Sequence, residues 1–204
     1  MSKRTSIGSW AFTIGPYAKD PIDFDTVCDK LKELGFDGVE LGAFPPHPNP
    51  GNPNGSDAEW PGAMPDRTQR EELASKIRQK GLAFSGIAAN LWGEKLINTD
   101  DQSKYIAEFR SNSSFCRDLG IEGIRVDCVQ PPTIHREVEY STALKRVSET
   151  WKTCCDIASD AGQYVTWDLS PASPSTSRRT LCASMMPSAN PTLVFNTTPA
   201  TVRW

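Results

Sequence analysis

The sequence alternates strand-like and helix-like segments at a regular spacing, and this pattern limits the fold more than any other feature. Short apolar segments typical of strands begin near residues 6, 38, 82, 123 and 163, about one every 40 residues. Amphipathic segments lie between them, and each is followed by a glycine: Gly35, Gly81, Gly120 and Gly162. Because consecutive parallel strands need a helical crossover, strict alternation of strand and helix predicts a parallel α/β sheet.

The predicted elements fit two architectures, an open doubly wound sheet and a (β/α)8 barrel. The long loops, such as residues 42–65, follow the carboxyl ends of strands, whereas the turns from helix to strand are short. This asymmetry is typical of a barrel whose active site is built from βα loops, and an open sheet also allows it. The predicted strands are Ser6–Phe12, Gly38–Leu41, Leu82–Ala88, Gly123–Val129 and Gln163–Trp167. Asp23 or Asp25, then Asp66, are expected to cap the first two helices, and the fourth helix is predicted over Tyr140–Ala161.

Charge and composition narrow the classes of partner. The net charge of −3 and the absence of a Lys/Arg stripe argue against a nucleic-acid partner. No apolar run approaches the ~18 residues of a membrane span, and no apolar signal segment follows Met1. The six cysteines form no CxxC pair, so we expect small buried thiols and a reducing, cytoplasmic setting.

Several segments, taken in order, resemble one known family. SIGSWAFTIGPY, LKELGFDGVELG, PHPNP, KLINTDD, GIRVDCVQPPTI and DAGQYVTW are similar to the xylose isomerase-like TIM-barrel sugar (phosphate) isomerases and epimerases across residues 5–167. The resemblance implies an α/β fold, a (β/α)8 TIM barrel. It also implies isomerisation or epimerisation of a small sugar or sugar phosphate with a divalent metal ion (Mn, Mg or Zn). Such chemistry needs a base, and a cation that holds the enediolate charge.

The segment that supplies metal ligands in this family departs from its pattern here. The resemblance places a ligand glutamate in W-E-F-E-P after the fifth strand and a ligand aspartate in D-T-C-H after the sixth. In this chain Trp167 and Pro171 match, Asp168, Leu169 and Ser170 do not, and no D-T-C-H occurs. We therefore expect that this chain does not bind the family's metal ion and is inactive.

Composition changes abruptly after residue 168. Of the 36 residues from Leu169 to Trp204, 21 are Ser, Thr, Pro or Ala, and none is Asp, Glu, Lys or Gly. The sequence thus predicts a partial barrel over residues 1–168, with about five βα units, and an irregular tail over 169–204. At most a short strand is expected in the tail, at Thr192–Phe195.

A frameshift would explain this tail. Loss of one nucleotide in a glutamate codon at position 168 converts W-E-F-E-P into the observed residues. Reading on in the other frame, with permitted wobble bases, gives a periodic helix, a β-rich segment and D-T-C-H in family order. Met185 and Met186 have single codons and force Asp and then Ala in that frame. The alternative is a disordered Ser/Thr/Pro-rich tail with its own role.

A five-strand barrel would have two unpaired edges, which predicts poor solubility or edge pairing in a homo-oligomer. Two other functions stay open beside the sugar enzyme. One is an abasic-site endonuclease-like barrel of the same superfamily, against which the acidic body argues. The other is a non-catalytic open-sheet α/β binding module, which predicts a compact monomer.

Seven residues are candidates for the site. Glu40 ends the second strand and is the candidate catalytic residue, with a structural ion pair as the alternative. Trp10 and Trp92 are candidate walls of a sugar pocket, and core packing is the alternative for Trp10. The remaining candidates for substrate binding are the strand residues Arg125 and Asp127 and the loop histidines His47, in a lid-like Pro-rich loop, and His135.

Overall fold

A computed structural model describes residues 4–55, 60–93, 96–126 and 137–168 and the strand at 193–196, with the backbone alone at 168 and 193–196. Within these residues six strands form one sheet in which every pair is parallel and the order is β1-β2-β3-β4-β5-β6. The strands are β1 (Ser6–Gly8), β2 (Gly38–Gly42), β3 (Ala83–Ala88), β4 (Gly123–Val126), β5 (Tyr164–Asp168) and β6 (Leu193–Asn196).

In the described part of the chain four α-helices connect the first five strands: α1 (Phe24–Glu33), α2 (Arg67–Gln79), α3 (Ser103–Leu119) and α4 (Tyr140–Asp160). Asp23 accepts a hydrogen bond from the Thr26 backbone N–H and Asp66 accepts one from Thr68, so the predicted caps of α1 and α2 are confirmed. Gly120 ends α3 at φ 73°, a left-handed conformation that costs glycine little. Among the described helices, none is both long enough and apolar enough to cross a membrane.

The core lies between the sheet and the helices. Alternate residues of the strands face it, including Val39 and Leu41 of β2 and Ile124 and Val126 of β4. The Trp151 ring of α4 packs edge-on against the Trp167 ring of β5, with centroids 5.0 Å apart, and both residues are buried. The opposite face of each strand therefore holds the residues that can build a site, because side chains alternate along a strand.

The structure shortens the first predicted strand. Ser6–Phe12 is expected to be one strand, but β1 ends at Gly8 and a 3-10 helix occupies Ser9–Phe12. The Ser9 hydroxyl accepts a hydrogen bond from the Gly42 backbone N–H at 2.9 Å, so this segment bonds to the end of β2 through a side chain. The fourth strand is described to Val126, and predicted strand residues 127–129 lie outside the described residues. The short strand predicted in the tail corresponds to β6, which pairs with β5; the rest of the tail is outside the described residues.

Candidate functional site

Three predicted site residues from different parts of the sheet meet in one cluster. Trp10 lies just after β1, Glu40 lies in β2 and Arg125 lies in β4. The Trp10 indole N–H donates a hydrogen bond to Glu40 Oε2 at 2.9 Å. An Arg125 guanidinium N–H donates to the same oxygen at 3.3 Å, and the guanidinium carbon lies 5.3 Å from the centroid of the Trp10 ring. The three side chains thus form one hydrogen-bonded unit, hereafter the Glu40 cluster.

Small residues in the intervening strand allow Glu40 and Arg125 to meet. Strand β3 lies between β2 and β4, with Gly86 beside Glu40 and Ala88 beside Arg125 in the register. Neighbouring residues in register point to the same face of a sheet, so Gly86 and Ala88 share the face of the two charged side chains. A hydrogen or a methyl group at these positions leaves the space through which the two charged groups reach each other.

The Glu40–Arg125 ion pair is buried. The Glu40 side chain is 10% exposed and that of Arg125 is 11% exposed. Charges in such a position interact more strongly than at the surface, and each becomes costly if its partner is removed. The indole of Trp10 contributes a neutral donor and a ring face for the guanidinium. The cluster therefore holds a carboxylate in a fixed orientation among groups of opposite or neutral charge.

Aromatic side chains lie on the loops that follow the first three strands. The rings of Phe44, after β2, and Trp92, after β3, are 5.7 Å apart, and Trp92 is 42% exposed. Tyr17, after β1, is 38% exposed, and its ring lies 6.0 Å from that of Phe12. Exposed aromatic faces can pack against the C–H groups of a sugar ring, which makes this rim suitable as a pocket wall.

His47 lies apart from the Glu40 cluster, against the start of α1. Its ring is 1% exposed and contacts the Phe24 ring at a centroid distance of 5.3 Å. Because a carbonyl oxygen can only accept, Nε2 carries the proton and donates to Ile22 O at 2.8 Å. Burial lowers the pKa of His47, while the Ile22 carbonyl and Asp23 act in the opposite direction. The ring lines a groove of about 700 Å³ between α1 and α2.

The described residues thus bring together Trp10, Glu40 and Arg125, place Trp92 at the rim and place His47 elsewhere. Asp127 and His135 lie outside the described residues. Gly8 and Gly42, which border Trp10, and Phe44, which pairs with Trp92, are not among the residues predicted from the sequence. A glycine inside a strand pattern often marks a close approach of another group, and that signal could have identified the two glycines.

The donor set of the Glu40 cluster does not suit a divalent metal ion. It offers one carboxylate, one oxygen of which already accepts from Arg125 and Trp10. Catalytic zinc takes three protein ligands around one point. Magnesium takes one or two carboxylates and several waters, and the Arg125 guanidinium beside Glu40 would repel it. In the part of the chain that the structure describes, no group of three or more His, Cys, Asp or Glu side chains could hold a metal ion.

Comparisons with solved structures show the same fold. The chain superposes on a sugar phosphate isomerase/epimerase from Parabacteroides distasonis with a TM-score of 0.63 at 13% identity, covering 96% of this chain and 68% of that one. It superposes on an L-ribulose 3-epimerase with a TM-score of 0.62 at 15% identity, covering 96% and 60%. The IOLI protein with a bound zinc atom gives 0.57 at 12% identity, covering 84% and 54%. The chain therefore spans about half to two thirds of the length of these proteins.

The search of curated protein sequences gave no match. The family described as "Xylose isomerase-like TIM barrel" matches residues 28–167, which is more than half of the chain and includes Glu40, Trp92 and Arg125. The parallel sheet with its alternating helices agrees with this match. The chain belongs to the xylose isomerase-like TIM-barrel family.

Proposed function

We propose that this chain derives from metal-dependent isomerases or epimerases of small sugars or sugar phosphates, and that it keeps their sugar-binding strand ends without their turnover. The Glu40 cluster is the observation that supports the proposal. It places a buried carboxylate beside an arginine, on the side of the sheet away from the helices. In barrels of this kind the active site lies at the carboxyl ends of the strands.

The roles follow from the chemistry of each side chain. Glu40 is the candidate catalytic group, since a carboxylate can accept a hydrogen bond from a sugar hydroxyl or take up a proton. Arg125 and Trp10 hold that carboxylate, and Trp92 and Phe44 form the wall against which the sugar packs. A bound divalent ion would supply stabilisation of the enediolate in an intact family member. Since the described residues do not fit such an ion, no turnover is assigned to this chain.

The tail forms the second part of the proposal. We retain residues 1–168 as the barrel portion and 169–204 as the product of a shifted reading frame. The location stays a reducing cytoplasm, which suits the buried free thiols of Cys28, Cys116, Cys154 and Cys155. Sequencing the gene and its transcript across codon 168 tests the frameshift. Codons that cannot encode W-E-F-E-P and D-T-C-H in the other frame would contradict it.

Binding and turnover are tested on two proteins. One is this 204-residue chain, and the other is a version in which the reading frame is restored at codon 168 and continued to full length. Saturation-transfer NMR with L-ribulose measures binding, and isomerisation or epimerisation is assayed with and without Mn²⁺. We expect both proteins to bind the sugar and the restored protein alone to bind Mn²⁺ and turn over. Glu40→Gln should reduce binding in both, whereas Glu72→Gln, a change on the exposed side of α2, should not.

Two results would contradict the proposal. If neither protein binds L-ribulose, the assignment of a sugar site is wrong. If the 204-residue chain turns over sugar when Mn²⁺ is added, its inactivity is wrong and a complete metal site must form without the family's usual segments.

A further inference from the structure

The Trp10 indole lies against the backbone of β1 at Gly8, which has no side chain to occupy that space. A Cβ atom added to Gly8 would lie 2.0 Å from Trp10 Nε1 and 2.6 Å from Cδ1. At Gly42, the last residue of β2, it would lie 2.9 Å from the Trp10 Cβ. Real Cβ atoms do not approach other atoms so closely, so the indole lies directly against the backbone of Gly8. Any side chain at Gly8 would have to displace it.

The need for glycine at position 8 comes from space and not from backbone conformation. Gly8 has φ −75° and ψ 125°, which is extended backbone that every residue adopts. An alanine there would leave the strand itself unstrained. Its effect would therefore fall on Trp10, whose indole would have to leave its place against Gly8.

The displaced indole would no longer orient Glu40. Trp10 and Arg125 both donate to Glu40 Oε2. Among the described residues, no donor bonds to the other carboxylate oxygen, Oε1. The two donors thus fix the carboxylate by one oxygen and leave the second as an acceptor, which suits a hydroxyl donor and repels an anionic group.

We propose that Gly8 and Trp10 are positioning residues that orient Glu40, so that its Oε1 accepts a hydrogen bond from a hydroxyl of the sugar. The assignment of a sugar rests on the function proposed above, whereas the positioning itself does not. It follows that a hydroxyl-bearing part of the ligand lies at Glu40, and that a phosphate group, where the ligand has one, lies elsewhere.

The positioning is tested by NMR of the 204-residue chain with ¹⁵N-labelled tryptophan indoles. Trp10→Phe removes one resonance and so identifies the indole N–H of Trp10 among the six tryptophans. In Glu40→Gln and in Gly8→Ala we expect this resonance to move, because each change alters the hydrogen bond to the carboxylate. Gly93→Ala is the matched control, since a Cβ at Gly93 has no atom within 4 Å.

Sugar binding provides the second measurement. A hydrogen bond to a charged group accounts for about a tenfold or greater change in affinity, so Trp10→Phe and Gly8→Ala should weaken L-ribulose binding by about that factor. Trp10→Phe keeps an aromatic ring at position 10 and removes the indole donor. It therefore still tests the hydrogen bond to Glu40 if Gly8→Ala fails to fold. Gly93→Ala should bind as the unchanged chain does.

The two measurements can contradict the positioning role and the proposed sugar binding independently of each other. If the Trp10 indole resonance is unmoved in Glu40→Gln and Gly8→Ala, the positioning role is wrong, whether or not the chain binds L-ribulose. If the resonance moves as expected but the unchanged chain binds no sugar, the proposed function is wrong. The proposed hydrogen bond from the sugar to Glu40 Oε1 is then wrong as well. If sugar binds equally well to all variants, Glu40 is not the acceptor.

Discussion

At the scale of single residues, the buried ion pair is the feature with the largest expected effect. Arg125→Met leaves the Glu40 carboxylate buried with one neutral donor, and removal of one partner of a buried pair costs about 3–5 kcal/mol. We expect a loss of this size in the free energy of unfolding, measured by urea denaturation.

A second substitution shows how much of the stability lost in Arg125→Met comes from the unpaired charge of Glu40 and how much comes from lost packing. In Arg125→Met combined with Glu40→Gln neither member of this pair is charged, so the double variant should be more stable than the single one. Arg67→Met serves as the surface control, because its pair with Glu71 is largely exposed and contributes little to the free energy of unfolding. Equal losses in Arg125→Met and Arg67→Met would mean that the pair is not buried.

His47 makes stability depend on pH. Burial lowers its pKa in the folded state, whereas the unfolded chain takes up the proton near the ordinary value of 6.5. The contribution of His47 is therefore fully present above pH 6.5 and is lost as the pH falls towards the lowered value. We expect the melting temperature to fall between pH 7.5 and 5.5, and His47→Gln to reduce this dependence.

The other histidine supplies the control for that measurement. His135→Gln makes the same exchange at the other histidine of the sequence, so it should leave the pH dependence as it is if His47 is the cause. The same fall in all three proteins would assign the effect to carboxylates instead of to His47.

At the scale of the elements, a buried hydrogen bond joins α3 to α4. The Trp151 indole N–H donates to the Tyr105 hydroxyl at 3.0 Å, and both side chains are buried. Tyr105→Phe keeps the ring but removes the acceptor, which should cost about 1–3 kcal/mol. Thermal or urea unfolding measures this, and Tyr140→Phe at the exposed start of α4 should cost little. Similar values for both variants would contradict the importance of this bond.

The sequence predicts the elements better than it predicts the contacts of the site. Apolar periodicity and the glycines after each helix are local signals, and they identify the four helices and the parallel sheet correctly. Alternation in GIRV correctly puts Arg125 on the face opposite Ile124 and Val126. The pairing of Arg125 with Glu40 requires the small residues Gly86 and Ala88 in the intervening strand β3. No sequence feature close to Arg125 indicates that those residues lie beside it. Ser9–Phe12 was wrongly predicted as strand, because the bond from Gly42 to Ser9 is a long-range contact.

At the scale of the whole molecule, the described sheet has two edge strands. β1 pairs with β2 and β6 pairs with β5, and within the described residues neither has a strand on its other side. Unpaired strand edges favour association with other chains. We expect sedimentation velocity to show association that increases with protein concentration, and the version with the restored frame to be a monodisperse species. A monomer at all concentrations would show that these edges are covered.

The order of the strands in space is the same as their order along the chain. Each strand lies next to the one that precedes it in synthesis, so every new strand and helix meets a surface that already exists. During translation the barrel can therefore assemble from its amino-terminal end while the ribosome is still at work. The strands that carry Glu40 and Arg125, and the segment that carries Trp10, all precede residue 168, so the Glu40 cluster needs no contact from any residue that is synthesised after it.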